Sequence, residues 1–269
     1  MNDRVKVTMT DGVADVRLVR ADKMNALDLA MFQALIDTAE KLRTTSGLRA
    51  VVISGEGRAF CAGLDMGRFA AMKEGNSGGG TTTQHDTTVR LYGQANRPQQ
   101  AVWGWRLLPV PVIAAVHGVA LGGGFQLALG ADMRFVAPDT RMSIMEIKWG
   151  LIPDMAGTPI LPRLIRDDVL RDLTYTGRIF SAQEALGWGL ATRICDDPYK
   201  EALEAAREIA GKNPDAIRAA KRMYNDLMGD AGPALMAESV EQKKLSGSPN
   251  QKEAVRANLE KRAPKFADG

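Results

Sequence analysis

Two stretches of the chain have residue types and spacing suited to holding developing negative charge. The first, Ser54-Gly55-Glu56-Gly57-Arg58-Ala59-Phe60-Cys61-Ala62-Gly63-Leu64-Asp65, leaves an apolar strand, passes a glycine-rich turn and enters a helix with Asp65 in its first turn. The second, Gly118-Val119-Ala120-Leu121-Gly122-Gly123-Gly124-Phe125-Gln126, repeats that arrangement after another apolar strand. Backbone N–H groups at the start of a helix are unpaired and carry positive potential, and glycine lets a ligand come close to them. Close helix packing explains one such turn. Two of them, after two buried strands, make the combination an oxyanion hole requires. Phosphate binding is the competing chemistry. The chain has no GxxxxGK(S/T), and the glycines at 118, 122, 123 and 124 do not fit GxGxxG, so a P-loop is excluded and a dinucleotide fold disfavoured.

Other reactive side chains offer less. Cys61 lies in the first turn but has no identifiable paired base, and reads as a small buried residue. His117, between a strand and a glycine, reads as a histidine that satisfies backbone or core; His85 reads as exposed. Two histidines, with Cys61 and Cys195 far apart, make no metal set and fit a reducing compartment, so a cytoplasmic location is expected. Trp103 and Trp105 precede Pro109 on an expected helix and read as packing residues, with the lining of an acyl tunnel as the alternative.

Elements to position these turns are readable from periodicity. Val5, Val7 and Met9 alternate with polar residues, Asp11-Gly12 is a hairpin turn, and residues 13–19 alternate again. Asp28 is a candidate N-cap for a helix with Phe32, Leu35, Ile36, Ala39 and Leu42 at helical spacing. Continuous apolar runs at 50–53 and 112–116 read as buried strands, 124–130 as a short helix, and 133–136 and 141–145 as strands. Repeated strand–strand–helix units predict α/β layers with the site at strand ends. Residues 75–84 are Gly/Ser/Thr-rich and are expected to be a mobile lid or tunnel edge. From about Pro198 the pattern is helical, near 199–211, 214–228, 233–246 and 250–261, which predicts a core over 1–197 and a helical subdomain over 198–269.

Composition adds bounds. With 269 residues, 45% apolar and 25% charged, the chain can build a large core and is neither disordered nor a disulfide scaffold. The first twelve residues have no apolar h-region, and the tract Val110–Val116 is too short to span a membrane. The net charge of +3 is matched by segment 252–265 alone, where Lys252, Arg256, Lys261, Arg262 and Lys265 face Glu253 and Glu260. That suits a local anion contact better than a nucleic-acid face, for which aromatic residues interleaved with a basic stripe are missing.

Several motifs together resemble the enoyl-CoA hydratase/isomerase, or crotonase, superfamily. They are Lys23-Met24-Asn25-Ala26-Leu27, Ala59-Phe60-Cys61-Ala62-Gly63-Leu64-Asp65, Gly118 to Gly124, Glu146-Ile147-Lys148-Trp149-Gly150-Leu151-Ile152-Pro153 and the tail Glu260-Lys261-Arg262-Ala263-Pro264-Lys265-Phe266. They occur in the expected order over nearly the whole chain. The resemblance implies a spiral of ββα units with a C-terminal helical subdomain, assembled as a homotrimer or a dimer of trimers. It also implies an acyl-CoA substrate, with no cofactor beyond the CoA of that substrate, and no nucleic-acid or membrane partner. By motif position the Leu64 and Gly123 amides would hold the thioester oxygen. Lys23, Ala26, Ala62 and Asp65 would meet CoA, and Lys265 would reach its 3′-phosphate.

The resemblance also frames the reaction. The family's hydratases hold a water between two glutamates; the second matches Glu146, while the first falls on Gln126, which cannot take a proton at neutral pH. Asp154 stands where hydratases generally carry glycine, and a Glu and an Asp at this spacing resemble the dienoyl-CoA isomerase branch. Asp154 can instead cap a helix starting near Ala156. The expected reaction is a double-bond shift with Glu146 as base and acid and Asp154 as partner. Hydration is the alternative, and an RNA-binding or inactive member of the fold is the alternative from another class.

Overall fold

The computed structural model describes residues 3–67, 86–227 and 229–266; the Gly/Ser/Thr stretch 75–84 and His85 lie outside the described residues. Strands β1 (Val5–Thr10) and β2 (Val13–Leu18) form an antiparallel hairpin across Asp11 and Gly12. Both turn residues have positive φ, 50° and 80°, the conformation that suits a two-residue hairpin loop. Helix α1 (Leu29–Arg43) starts at Asp28, whose carboxylate accepts the Met31 amide at 2.7 Å. Its buried stripe includes Phe32, Leu35, Ile36, Ala39 and Leu42, as the spacing predicts.

Strand β3 (Ala50–Gly55), helix α2 (Arg97–Arg106), β4 (Val112–Val116), β5 (Val119–Leu121), α3 (Gly123–Leu129), β6 (Met133–Val136) and β7 (Arg141–Ser143) follow. A 3-10 turn over Glu146–Trp149 leads to α4 (Gly157–Ile160), α5 (Asp167–Thr176), β8 (Phe180–Ser181), α6 (Ala182–Trp188) and β9 (Arg193–Ile194). The large sheet has the order β1-β2-β3-β4-β6-β9, parallel from β2 onward, and a small sheet has the order β5-β7-β8. β3 and β4 are buried along their whole length, which accounts for their unbroken apolar runs. The chain thus lays a strand in the large sheet, a strand in the small one and then a helix, as in β4–β5–α3. An isolated bridge from Cys61 to Ala120 ties the turn after β3 into the small sheet in the same way. This is the expected spiral of ββα units. Trp103 and Trp105 are buried on α2 and pack into the core.

The helical C-terminal stretch comprises α7 (Pro198–Ala210), α8 (Pro214–Asp226), α9 (Gly232–Leu245) and α10 (Pro249–Leu259). It does not stand apart from the rest. Ala202 and Ala206 of α7 are small enough to sit flat on Val52, Ile113, Ala115 and Phe135, covering the outer face of the large sheet. α7 of the helical stretch expected over 198–269 thus lies against the sheet of the expected core over 1–197, because that face has to be covered. Among the described residues, no helix is long and apolar enough to cross a membrane.

Candidate active site

The loop before α1 is laced to the turn after β3. Met24 and Asn25 are consecutive left-handed residues, with φ of 49° and 55°. Asn25 is fully buried; its Nδ2 donates to the Glu56 and Ala59 carbonyls at 3.0 and 2.9 Å, and its Oδ1 accepts the Arg20 amide at 2.9 Å. Leu27 N–H donates to Gly63 O at 2.8 Å, and Asp65 N–H donates to Leu27 O at 3.2 Å, so residues 63–65 run as a short strand against Leu27. That pattern turns the Leu64 amide away from Leu27.

Gly63 brings the second loop into contact. At φ +86° its backbone lies so close to β5 that a Cβ would stand 2.4 Å from Leu121 O, with the Gly123 amide nitrogen 3.7 Å away. Gly123 opens α3 after Gly122, whose φ is +51°. Among the described residues, neither the Leu64 nor the Gly123 amide donates to a backbone acceptor. Both line a single cavity of about 850 Å³. Lys23, Ala26, Ala62 and Asp65 share its wall, and so do Glu146 and Asp154, with Leu27, Leu29 and Phe32 among its apolar lining.

Glu146 begins the 3-10 turn after β7 and is 8% exposed. Gln126 Nε2 donates to its Oε1 at 2.7 Å, whereas its Oε2 is buried with no partner. Burial, with a smaller push from the charge of Glu238, raises its carboxyl to about 7 against the opposing hydrogen bond from Gln126. Asp154 is half-buried at the same cavity. Burial, then the charges of Glu238 and Glu146, raise it to about 8. It does not cap α4. The residue before that helix, Ala156, is left-handed, and its side chain offers no cap.

Gln126 is 1% exposed and, among the described residues, is not part of the cavity wall. It sits behind Glu146, its Oε1 accepting the Met155 and Gly157 amides at 2.9 and 3.2 Å. Lys265 is also away from the cavity of its own chain; its amide donates to Glu253 Oε1 at 2.8 Å, and Arg262 binds the same carboxylate. Asp65 stands just before the backbone turns helical at 66–67 and accepts the Gly67 amide at 2.8 Å and Arg20 Nη1 at 2.6 Å. Burial pulls its carboxyl up, but these two partners outweigh it and hold the group below the ordinary carboxylate range.

Cys61 donates its thiol to Asn25 O at 3.1 Å, and burial raises it to about 12, so it is no nucleophile at neutral pH. His117 meets the Gly57 carbonyl at 2.9 Å, a backbone-satisfying role. Among the described residues there is no group of three or more His, Cys, Asp or Glu able to hold a metal. Sequence reasoning missed Asn25, Arg20 and Glu238. The positive φ at Asn25 is a known asparagine habit and offered a hint; Arg20 and Glu238 carried no local signal.

The family profile for enoyl-CoA hydratase/isomerase matches residues 8–269. A probable enoyl-CoA hydratase of Bacillus subtilis (strain 168) is 32% identical over 247 residues, covering 90% of this chain and 90% of the relative. The mitochondrial Delta(3,5)-Delta(2,4)-dienoyl-CoA isomerase of Mus musculus is 32% identical over 217 residues, covering 78% of this chain and 64% of the relative. A crystal structure of an enoyl-CoA hydratase/isomerase from Pseudoalteromonas atlantica T6c superposes with a TM-score of 0.84 at 28% identity, over 98% of this chain and 100% of that one. Sequence and fold agree over nearly the full length, and the chain is an enzyme belonging to the enoyl-CoA hydratase/isomerase family.

Proposed function

We propose that this enzyme moves a carbon–carbon double bond within an unsaturated acyl-CoA. The thioester oxygen would accept the Leu64 and Gly123 amides, which acidifies the protons α and, through conjugation, γ to the carbonyl. Glu146 would remove one of these protons through its unbonded Oε2 to form a thioester enolate. The proton would return from Glu146 to the other end of the conjugated system; where Asp154 donates its own proton instead, the one held on Glu146 would then pass to the Asp154 carboxylate, so the cycle neither gains nor loses protons. Lys23 at the cavity edge, with Ala26, Ala62 and Asp65, would hold CoA; Lys265 would reach its 3′-phosphate from a neighbouring copy in a trimer or dimer of trimers.

One observation carries this reading. The two carboxyl groups on the cavity wall, Glu146 and Asp154, both titrate near neutrality, while the amide of Gln126 stands behind Glu146. A pair with one proton to share suits transfer between carbons. Hydration, the activity in the name of the Bacillus subtilis relative, is the second reading, supported by the free Glu146 Oε2 as a seat for water. The test is spectroscopic. A trans-3-enoyl-CoA should gain conjugated-thioester absorbance, and a 3,5-dienoyl-CoA should extend its conjugation. Rapid loss of absorbance from a trans-2-enoyl-CoA, with neither gain, would establish hydration instead.

A further inference from the structure

Asp154 is followed by four amides that all find side-chain acceptors, and these acceptors alternate. Met155 and Gly157 donate to Gln126 Oε1, from α3. Ala156 donates to Glu238 Oε2 at 3.0 Å and Thr158 donates to Glu238 Oε1 at 2.7 Å, from α9. Ala156 sits at φ +66°, a conformation that non-glycine residues hold only when their surroundings enforce it. One helical turn beyond Glu238, on the same face of α9, Gln242 Oε1 accepts the Ile152 amide at 3.2 Å, which brings the Gln242 side chain close enough to Asp154 to favour its carboxylate.

We propose that α9 is the positioning element for Asp154, with Glu238 and Gln242 clamping the 152–158 loop from the side opposite Gln126. Glu238 is itself fixed at 2% exposure. Gln99 Nε2 donates to its Oε2 at 2.9 Å and to the Leu235 carbonyl at 2.7 Å, while Gln99 Oε1 accepts Arg90 Nη1 at 3.0 Å. The clamp therefore joins the Asp154 loop to the segment at 86–97, which contributes Asp86, Thr87, Asn96 and Arg97 to the cavity wall.

The clamp has an electrical side. The charged groups facing this region are Glu146 from its 3-10 turn, Glu238 from α9 and Arg90 from the segment before α2, with the Asp86–Lys243 pair beyond them. The like charge of Glu238 favours the protonated form of Asp154. Burial raises Glu238 itself, against the Thr158 amide, Gln99 and the Ala156 amide, which favour its carboxylate, and Arg90 beyond Gln99 interacts favourably with that charge. Gln242 acts in the opposite direction: its nearby side-chain amide favours the Asp154 carboxylate.

The inference uses the reading above only in treating Asp154 as a participant in proton transfer, and it is tested without turnover. Asp carboxyl carbons are labelled with ¹³C, and the Asp154 signal is titrated in the ligand-free full chain. Glu238→Gln should move its midpoint down by about one pH unit, and Gln242→Ala should move it up by a smaller amount. A purely structural role would move both the same way. An unmoved midpoint in either folded variant, or shifts of one sign, overturns the clamp. In parallel, kcat of Glu238→Gln on the responsive enoyl-CoA should fall about fivefold at pH 8 with KM nearly unchanged. Opposed NMR shifts without turnover of any enoyl-CoA would uphold the clamp and refute the proposed reaction.

Discussion

At the scale of single residues, the chemistry turns on where two protons reside near neutral pH. Glu146 at about 7 and Asp154 at about 8 titrate as an interacting pair, so the apparent values belong to both. With Glu146 needed as carboxylate and Asp154 needed with its proton, turnover should rise through about pH 7 and fall beyond about pH 8. Replacing Asp154 by Asn should abolish the alkaline fall and leave the acid limb in place, which pH–rate profiles of kcat/KM will reveal. Glu146→Gln should cut kcat by about 10²–10⁴-fold. The same substitution should stabilise the fold. The folded carboxyl binds its proton more tightly than the unfolded one, whose ordinary value is 4.5, so stability falls as pH rises from there to about 7. Removing that burden should raise stability by about 2–3 kcal/mol at pH 8, or roughly 5 °C in Tm, and by nothing near pH 4. Calorimetry at the two pH values checks the sign.

At the scale of elements, the site depends on glycines that let two turns touch. Gly63 has no room for a Cβ against Leu121 O and sits at a φ that disfavours one. Gly63→Ala should push residues 62–65 off β5, part the Leu64 and Gly123 amides, and lower kcat by about 10²–10³-fold, the typical effect of losing one oxyanion donor. Steady-state kinetics will read the loss, and thermal unfolding will show whether the fold survives. The hairpin, α1, the buried strands and the two glycine turns were legible because each has a period, a cap residue or a turn dipeptide of its own. The residues that complete the site were not. Glu238 lies 80 and 82 positions from the amides it binds and reads locally as an ordinary helical glutamate. α4, β8 and β9 are too short to display any period. The suggestion that Asp154 caps α4 failed for the same reason, since the actual cap comes from a distant helix.

At the scale of the whole molecule, the C-terminal helices are wall and buttress. A chain ending at residue 197 would leave Val52, Ile113 and Phe135 facing water without α7. It should fail to give a cooperative unfolding transition and should elute as aggregate, whereas the full chain should unfold cooperatively. Sequence periodicity located these helices within a residue or two and read them as a helical subdomain, without showing which face of the sheet they cover. Their small buried residues, such as Ala202 and Ala206, carry no sign of what they lie against.

The clamp on the Asp154 loop also sets an order of events during synthesis. A nascent chain will have every strand of both sheets outside the ribosome before Glu238 and Gln242 emerge. The proton-transfer centre is then finished last, after the scaffold around it. Translation products that stop between α8 and α9, or that proteases clip there, would keep both sheets and the helices laid down before α9 without a working catalyst.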